Sequence, residues 1–472
     1  MKIFSALLCA ILASVMVGPT EASQSPDATF FSGVAARALA TAVAPGIALA
    51  VTHNGKIVYE RGFGYADVAA RQAVSADSRF AVGSLTKQLT AAAIMLLAHE
   101  HRIGLDDRLS VYVPSLPNSS RITLRMLLDQ NSGLHNYPLL SEHPWPTQGP
   151  IPLARLVGIL ATDKPDFQPK ARWEYSNTNY VALTAVVEKV AAMSLAQFLK
   201  TRIFRPLHMT ESDFGYAAQR DGGIVVGYAN GKPELPPFSL DLFSGAGAAV
   251  SSAHDFALWD LGLMRGNVLP KSYLSEVRDA GIPTGDDSTR YTMGWVITRL
   301  AGHQQLWHNG LAPEVGGYCY NAIFPDDRLT ITVMTNGFGA AGLPERMTRE
   351  IAAAYGIGGP PQATSAATAA PGDDPEIDRI ARGFWDQLAS GNLSRSNLTP
   401  QFSAALTPAL LAQTRESIVL LGQLTSFTFA GTQQENGVAV YRYALTFASG
   451  TQHEWDVAVT SDKRIAGSQI VR

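Results

Sequence analysis

At 472 residues the chain is longer than one ordinary domain of about 150 residues and has the length for two or three. With 46% hydrophobic and 16% charged residues it can bury a large core, which excludes a disordered chain. A net charge of -3, without any run of like charge, excludes the basic surplus that nucleic-acid binding demands.

Met1-Lys2-Ile3, an apolar run to Val17 and then Gly18-Pro19-Thr20-Glu21-Ala22 have the layout of a secretory signal peptide, with small residues at Thr20 and Ala22 for cleavage after Ala22. The run is short of the ~20 residues a bilayer span needs, so residues 1–22 predict export and cleavage, to a periplasmic or secreted location with no stable membrane anchor. Cys9 leaves with the leader. Cys319 then stands alone, no internal disulfide can form, and its apolar-aromatic surroundings predict a buried small hydrophobe.

In chain order, Phe30 to Ala42 predicts an alanine-rich helix, and Ile47–Thr52 and Lys56–Glu60 predict strands about His53-Asn54-Gly55, where Asn-Gly is a strong hairpin signal. Phe80-Ala81-Val82-Gly83-Ser84-Leu85-Thr86-Lys87 then leads into an apolar run from Gln88 to Glu100. Leu85, Leu89, Ala92, Ala93, Leu96 and Leu97 recur there at helical spacing, which puts Ser84 on the first turn of a buried helix and Lys87 one turn on along the same side. Ile122 to Leu128 predicts a short helix ending near Asn131-Ser132-Gly133, and Asn179 to Val190 a long one after Tyr175-Ser176-Asn177. Met293–Ile297, Gln305–His308, Tyr318–Phe324 and Leu329–Thr335 predict antiparallel strands, the last two joined by Pro325-Asp326-Asp327-Arg328. A helix from Pro344 to Tyr355 closes the segment. The fold class is α+β: a central antiparallel sheet built from both ends of the segment, flanked by helices, with an all-helical insertion between.

Residues 358–374, rich in Pro, Ala and Thr and without periodicity, read as a linker between a domain at 23–357 and a small α+β unit at 375–472. In that unit Ile377, Ile380, Ala381, Phe384, Trp385 and Leu388 form an amphipathic helix, and a helical region from Pro400 to Leu421 follows. Strands are expected at Ser426–Ala430, Val438–Phe447 and Glu454–Val459, with a last run near Ile465 and a hairpin signal at Glu435-Asn436-Gly437.

A serine hydroxyl is a weak nucleophile until a base takes its proton, and a desolvated lysine can be neutral enough to do so. Of all the lysines, only Lys87 has a serine three residues before it. Tyr175-Ser176-Asn177 sits before a helix; a phenol beside a lysine can have its pKa lowered and relay protons, while the asparagine amide can meet a substrate carbonyl. Tyr228-Ala229-Asn230 has the same form but lies between glycines and is read as a solvated turn. His308-Asn309-Gly310 ends a strand and leads into a glycine-bearing loop, Leu311 to Gly317, where a histidine can hold a carboxylate or an anionic intermediate. The earlier His53-Asn54-Gly55 is explained by turn chemistry. His99-Glu100-His101 lacks the i, i+4 histidine pair of a zinc helix, so no metal and no cofactor are implied.

Together, Ser84-x-x-Lys87, Tyr175-x-Asn177 and His308-x-Gly310 resemble the active site of the serine β-lactamase and DD-peptidase superfamily, in particular its class C-like branch of DD-peptidases, D-aminopeptidases and esterases. The resemblance covers roughly Asp27 to Gly358, and the last region looks like the small nuclear-transport-factor-2-like domain often appended to such hydrolases. It implies that Ser84 forms an acyl-enzyme, that Lys87 and Tyr175 share the proton transfers, that Asn177 orients the acyl group, and that the N–H groups of Ser84 and Leu311 form an oxyanion hole. His308 stands where class C β-lactamases carry lysine, which favours the peptidase and esterase members. Gln130 is a second departure, standing where histidine is usual. The expected substrate is a D-amino-acid peptide or cell-wall fragment; an ester or β-lactam substrate, and a penicillin-binding sensor without turnover, remain alternatives.

Overall fold

The computed structural model describes residues 26–40, 44–137, 149–229, 232–234, 239–285, 288–312, 317–337, 340, 342–358, 374–390, 393–406, 411, 414–415, 418, 424–435, 438–447 and 452–470. The expected leader at 1–22 and nearly all of the expected linker at 358–374 lie outside these residues, as do Asn436-Gly437, Asn230 and residues 313–316.

A helix, α1 (Ala28–Ala40), precedes the hairpin of β1 (Gly46–His53) and β2 (Lys56–Asp67). Asn54 and Gly55 both take positive φ at its tip, the conformation that joins two twisted strands through two residues. A two-residue strand follows, β3 (Gln72–Ala73), and then α2 (Thr86–His99) and, after a stretch of shorter elements, α3 (Asn177–Ala191). The chain returns to strands with β4 (Ile282–Pro283), β5 (Arg290–Thr292), β6 (Trp295–Leu300), β7 (His303–Ala312), β8 (Gly317–Phe324) and β9 (Leu329–Thr335), and α4 (Leu343–Ala354) closes the unit. These strands form one antiparallel nine-stranded sheet in the order β3-β2-β1-β9-β8-β7-β6-β5-β4. The two ends of the segment meet at β1 and β9, with Ile47 opposite Thr335 and Val51 opposite Ile331.

The alternation of side chains explains the layers. Ile47, Leu49 and Val51 face α1 and α4 in one buried cluster, while Ala48 and Ala50 face the helical side in another. Because both faces are covered, β1 reads as a continuous apolar run, and every α2 residue from Thr86 to Leu97 is buried.

Several expected elements shift. Ser84 occupies a single 3₁₀ turn, Gly83–Leu85, ahead of α2 rather than its first α-helical turn. Met293 and Gly294, expected in a strand, form the positive-φ turn between β5 and β6. His308-Asn309-Gly310 lies within β7 and not at its end, because pairing with β8 continues through Leu311 opposite Tyr318. The insertion is mainly helical, yet Phe80–Ala81, Asp213–Phe214 and Ala249–Ser251 pair into a small sheet of their own. Tyr228 is buried rather than solvated; it sits in the strand Gly227–Ala229 and its hydroxyl accepts from the Val68 N–H at 2.7 Å. Cys319 is buried, as expected, and burial pushes its thiol up to about 12.

The C-terminal region has its own core. The amphipathic α5 (Pro375–Ser390) turns Ile377, Phe384, Trp385 and Leu388 onto a four-stranded antiparallel sheet of β10 (Leu424–Glu435), β11 (Val438–Phe447), β12 (Gln452–Val459) and β13 (Ile465–Ile470). No single described helix is long and apolar enough to cross a membrane.

Candidate active site

Two glycines bring the nucleophile turn against the sheet. Gly83 has φ of 51°, and a Cβ there would lie 2.6 Å from the Leu311 carbonyl oxygen; a Cβ at Gly310 would lie 1.9 Å from the Val82 carbonyl oxygen. Only hydrogen fits at either place, so β7 rests directly on the Ser84 turn. From Ala81 to Thr90 every residue is buried except Ser84. The hydroxyl is the one part of that stretch a substrate can reach.

Lys87 is fully buried, and burial drives its pKa well below the ordinary lysine range. Nζ lies 2.7 Å from Asn177 Oδ1, 2.8 Å from the Ala246 carbonyl oxygen and 3.0 Å from Ser84 Oγ. An amide oxygen and a peptide carbonyl can only accept, so Nζ donates to both. A neutral amine has two N–H groups, and with both engaged its lone pair is left facing the serine hydroxyl. This is the arrangement of a general base on a nucleophile.

The Tyr175 hydroxyl donates to Ser84 Oγ at 2.9 Å. Its pKa lies well above the ordinary phenol value, because burial outweighs the Ser84 hydrogen bond and the neighbouring Tyr291 pushes the same way. The expected lowering of the phenol pKa therefore does not occur: with Lys87 neutral, no cation compensates the desolvated phenolate. Tyr175 is a neutral proton donor in a chain that runs Tyr175, Ser84, Lys87.

His308 is 2% exposed, and burial, with a smaller contribution from the neighbouring Lys87 amine, lowers its pKa to about 3. Its Nδ1 lies 2.5 Å from the Asn309 carbonyl oxygen and its Nε2 3.2 Å from the Tyr291 hydroxyl. Both ring nitrogens are engaged, so the histidine expected to hold a carboxylate or an anionic intermediate has no free N–H to offer one, and its ring packs edge-on to Tyr291. Leu311, expected in a loop, is on β7 beside the Ser84 turn and is 43% exposed.

The structure thus gathers Ser84, Lys87, Tyr175, Asn177, His308, Gly310 and Leu311 around one hydroxyl. Four other groups complete the arrangement. Asn136 Oδ1 accepts from the backbone N–H of Asn177 at 2.8 Å and from its side-chain amide at 3.1 Å, which fixes the rotamer that aims Oδ1 at Lys87. Buried Gln130 accepts through Oε1 from the Ser176 N–H at 3.1 Å and the Asn179 amide at 2.5 Å, so the glutamine departure holds the Tyr175 turn in place. The Ala246 carbonyl and Tyr291 are the other two. Gln130 stood out in the sequence; nothing there marked Asn136 or Tyr291, and a backbone carbonyl carries no residue signal.

A family model described as Beta-lactamase matches residues 31–356. A candidate penicillin-binding protein of Bacillus subtilis (strain 168), PbpX, is 30% identical over 250 residues, which are 52% of this chain and 61% of that one. This chain therefore spans under two thirds of that relative's length. The D-amino acid amidase from Ochrobactrum anthropi SV3 matches with a TM-score of 0.61 at 21% identity, covering 69% of this chain and 97% of its own. The octameric penicillin-binding protein homologue from Pyrococcus abyssi matches with a TM-score of 0.61 at 18% identity, over 95% of this chain and 100% of its own. Both structural likenesses speak for the fold.

Proposed function

The chain belongs to the Beta-lactamase family, and from that premise we propose that it is a serine hydrolase that works through an acyl-enzyme on Ser84, on D-amino-acid peptides or amides of cell-wall type. The observation that carries this reading is the position of buried Lys87 Nζ, 3.0 Å from Ser84 Oγ and held there by the oxygens of Asn177 and Ala246. As Oγ bonds to the acyl carbon, its proton passes to Nζ and the carbonyl electron pair moves onto oxygen, opposite the N–H groups of Ser84 and Leu311. The scissile bond then breaks, its electron pair leaves with the departing nitrogen or oxygen, and Tyr175 gives that atom a proton, which the phenolate regains from the proton Lys87 took from Ser84, Nζ lying 4.7 Å from the Tyr175 ring centroid. Water repeats the steps in reverse order to release the acid.

An ester substrate uses the same steps, and the neutral His308 supports that second reading. Export after cleavage at Ala22, and an accessory role for residues 375–472, belong to the proposal on the strength of the leader pattern and the linker composition. The test is intact-mass spectrometry after brief exposure to a p-nitrophenyl ester, a D-alanyl peptide amide and a fluorescent penicillin, with Ser84→Ala beside the wild type. A transient acyl adduct and turnover confined to the wild type are expected. Turnover retained by Ser84→Ala removes the assignment.

A further inference from the structure

A cavity of about 410 Å³ opens on the insertion, and none of the residues gathered at Ser84 lines it. One wall is helical. The helix Leu195–Leu199 passes into a π-helical turn, Lys200–Phe204, after which the Arg205 N–H bonds to the Lys200 carbonyl. In an α-helix these two residues would face different sides; the wider turn brings them to the same side, where both are exposed and both line the cavity. Like charges on one helix face repel. Arg202, in the same turn but off the cavity, is paired with Glu100, whereas among the described residues no ion pair engages Lys200 or Arg205. Arg79, whose Nη1 donates to the Gly222 carbonyl at 3.1 Å, adds a third cation to the lining.

His208 then takes a left-handed φ of 59° and ends the helical wall, so that Met209 to Asp213 run on as the other wall. This wall carries carboxylates. Asp213 accepts from the Phe214 N–H at 2.9 Å and Glu211 from the Thr210 hydroxyl at 3.5 Å, and neither is joined to a cation among the described residues. Three cations and two carboxylates therefore line one space without neutralising one another. Phe204 and Met209, both buried, line it too and offer an apolar surface to a ligand's carbon skeleton.

We infer that this cavity is a second binding site, for a zwitterionic amino acid or short peptide whose carboxylate lies between Lys200 and Arg205 and whose ammonium faces Glu211 and Asp213. A simple anion would relieve the stacked cations but would meet the two carboxylates as well; a ligand carrying both charges answers both walls. The site does not depend on acyl chemistry at Ser84.

The experiment is isothermal titration calorimetry of the full chain with D-alanyl-D-alanine, its C-terminal carboxamide, its N-acetyl derivative and inorganic phosphate, at low and high salt, on a Ser84→Ala background so that nothing is consumed. The dipeptide is expected to bind more tightly than either derivative, by about tenfold over each, and more weakly as salt rises. Lys200→Ala with Arg205→Ala should weaken the dipeptide by about tenfold or more while leaving the thermal midpoint in place, since both side chains are exposed. Glu211→Gln with Asp213→Asn should weaken the dipeptide but not its N-acetyl derivative; this pair decides if the first fails to fold. Undiminished binding by the Lys200 and Arg205 variant overturns the inference, because the peptide is then held elsewhere, as at Ser84. A carboxamide that binds as well as the free acid overturns it too, as does phosphate binding more tightly than the dipeptide, the mark of a plain anion site. No heat from millimolar dipeptide has the same consequence.

Discussion

Lys87 and Gln88 are neighbours on α2, yet they serve opposite kinds of buried polar cluster. Lys87 points to Ser84, Asn177 and the Ala246 carbonyl, and that cluster opens to solvent at the serine. Gln88 points to the sheet, where its Oε1 accepts from Trp259 Nε1 at 3.3 Å, Asn321 donates to Asp260 Oδ1 at 2.9 Å, and Thr332 donates to Asn321 at 2.9 Å; every member is sealed. Burial acts alike on both. It lowers the Lys87 pKa well below the ordinary lysine range and, against the hydrogen bonds from Asn321 and Thr330, raises the Asp260 carboxyl to about 8. A shifted pKa therefore does not mark chemistry by itself. What distinguishes the first cluster is a lone pair aimed at an accessible hydroxyl; the second has no accessible atom to act on.

The comparison is broken most directly at Lys87. Lys87→Ala should lower turnover of an activated ester by about 10⁴-fold, and the double variant with Ser84→Ala should be no worse than either alone, because the pair acts as a unit. Activity near the wild-type rate would erase the difference between the clusters. Gly310→Ala tests how closely β7 must lie on the serine turn. Its Cβ would meet the Val82 carbonyl, so the strand must move, and a displacement of order 1 Å should cost roughly 10²-fold in kcat with a loss of thermal stability. Unchanged kinetics would mean that the β7 contact is irrelevant to the site.

The smallest expected effect sharpens the contrast from the sealed side. An Asp260 carboxyl that ionises near 8 in the folded chain but in the ordinary acid range when unfolded keeps a proton that the unfolded chain has lost, so stability falls as the pH rises from about 4 to about 8. Asp260→Asn removes that slope. Denaturant midpoints at pH 5 and pH 8 should show the variant gaining on the wild type by on the order of a few kcal/mol at the higher pH, with ester turnover unaltered. Equal slopes would mean that Asp260 is already ionised in the fold.

Residues alone picked out Ser84, its lysine neighbour, the Tyr175 and His308 motifs, and the α+β order of elements, because each is carried by a local signal: Asn54-Gly55 for a hairpin, a period near 3.6 for α2, Pro344 for the closing helix. The same local logic misread the states of those residues. It allowed the Tyr175 phenol a lowered pKa and let His308 hold a carboxylate, since a motif says which groups meet but not how dry their meeting place is. It ended β7 at His308, since a glycine looks like a strand breaker until the Val82 carbonyl is seen pressing on Gly310. It had no means of finding Asn136, the Ala246 carbonyl or Tyr291, which are 41, 159 and 17 residues from the partners they hold. The sequence by itself determined which chemistry is available, because nucleophile and base lie one helical turn apart. Only the tertiary structure decided their protonation states, because desolvation is a property of everything packed around a group, and most of that comes from elsewhere in the chain.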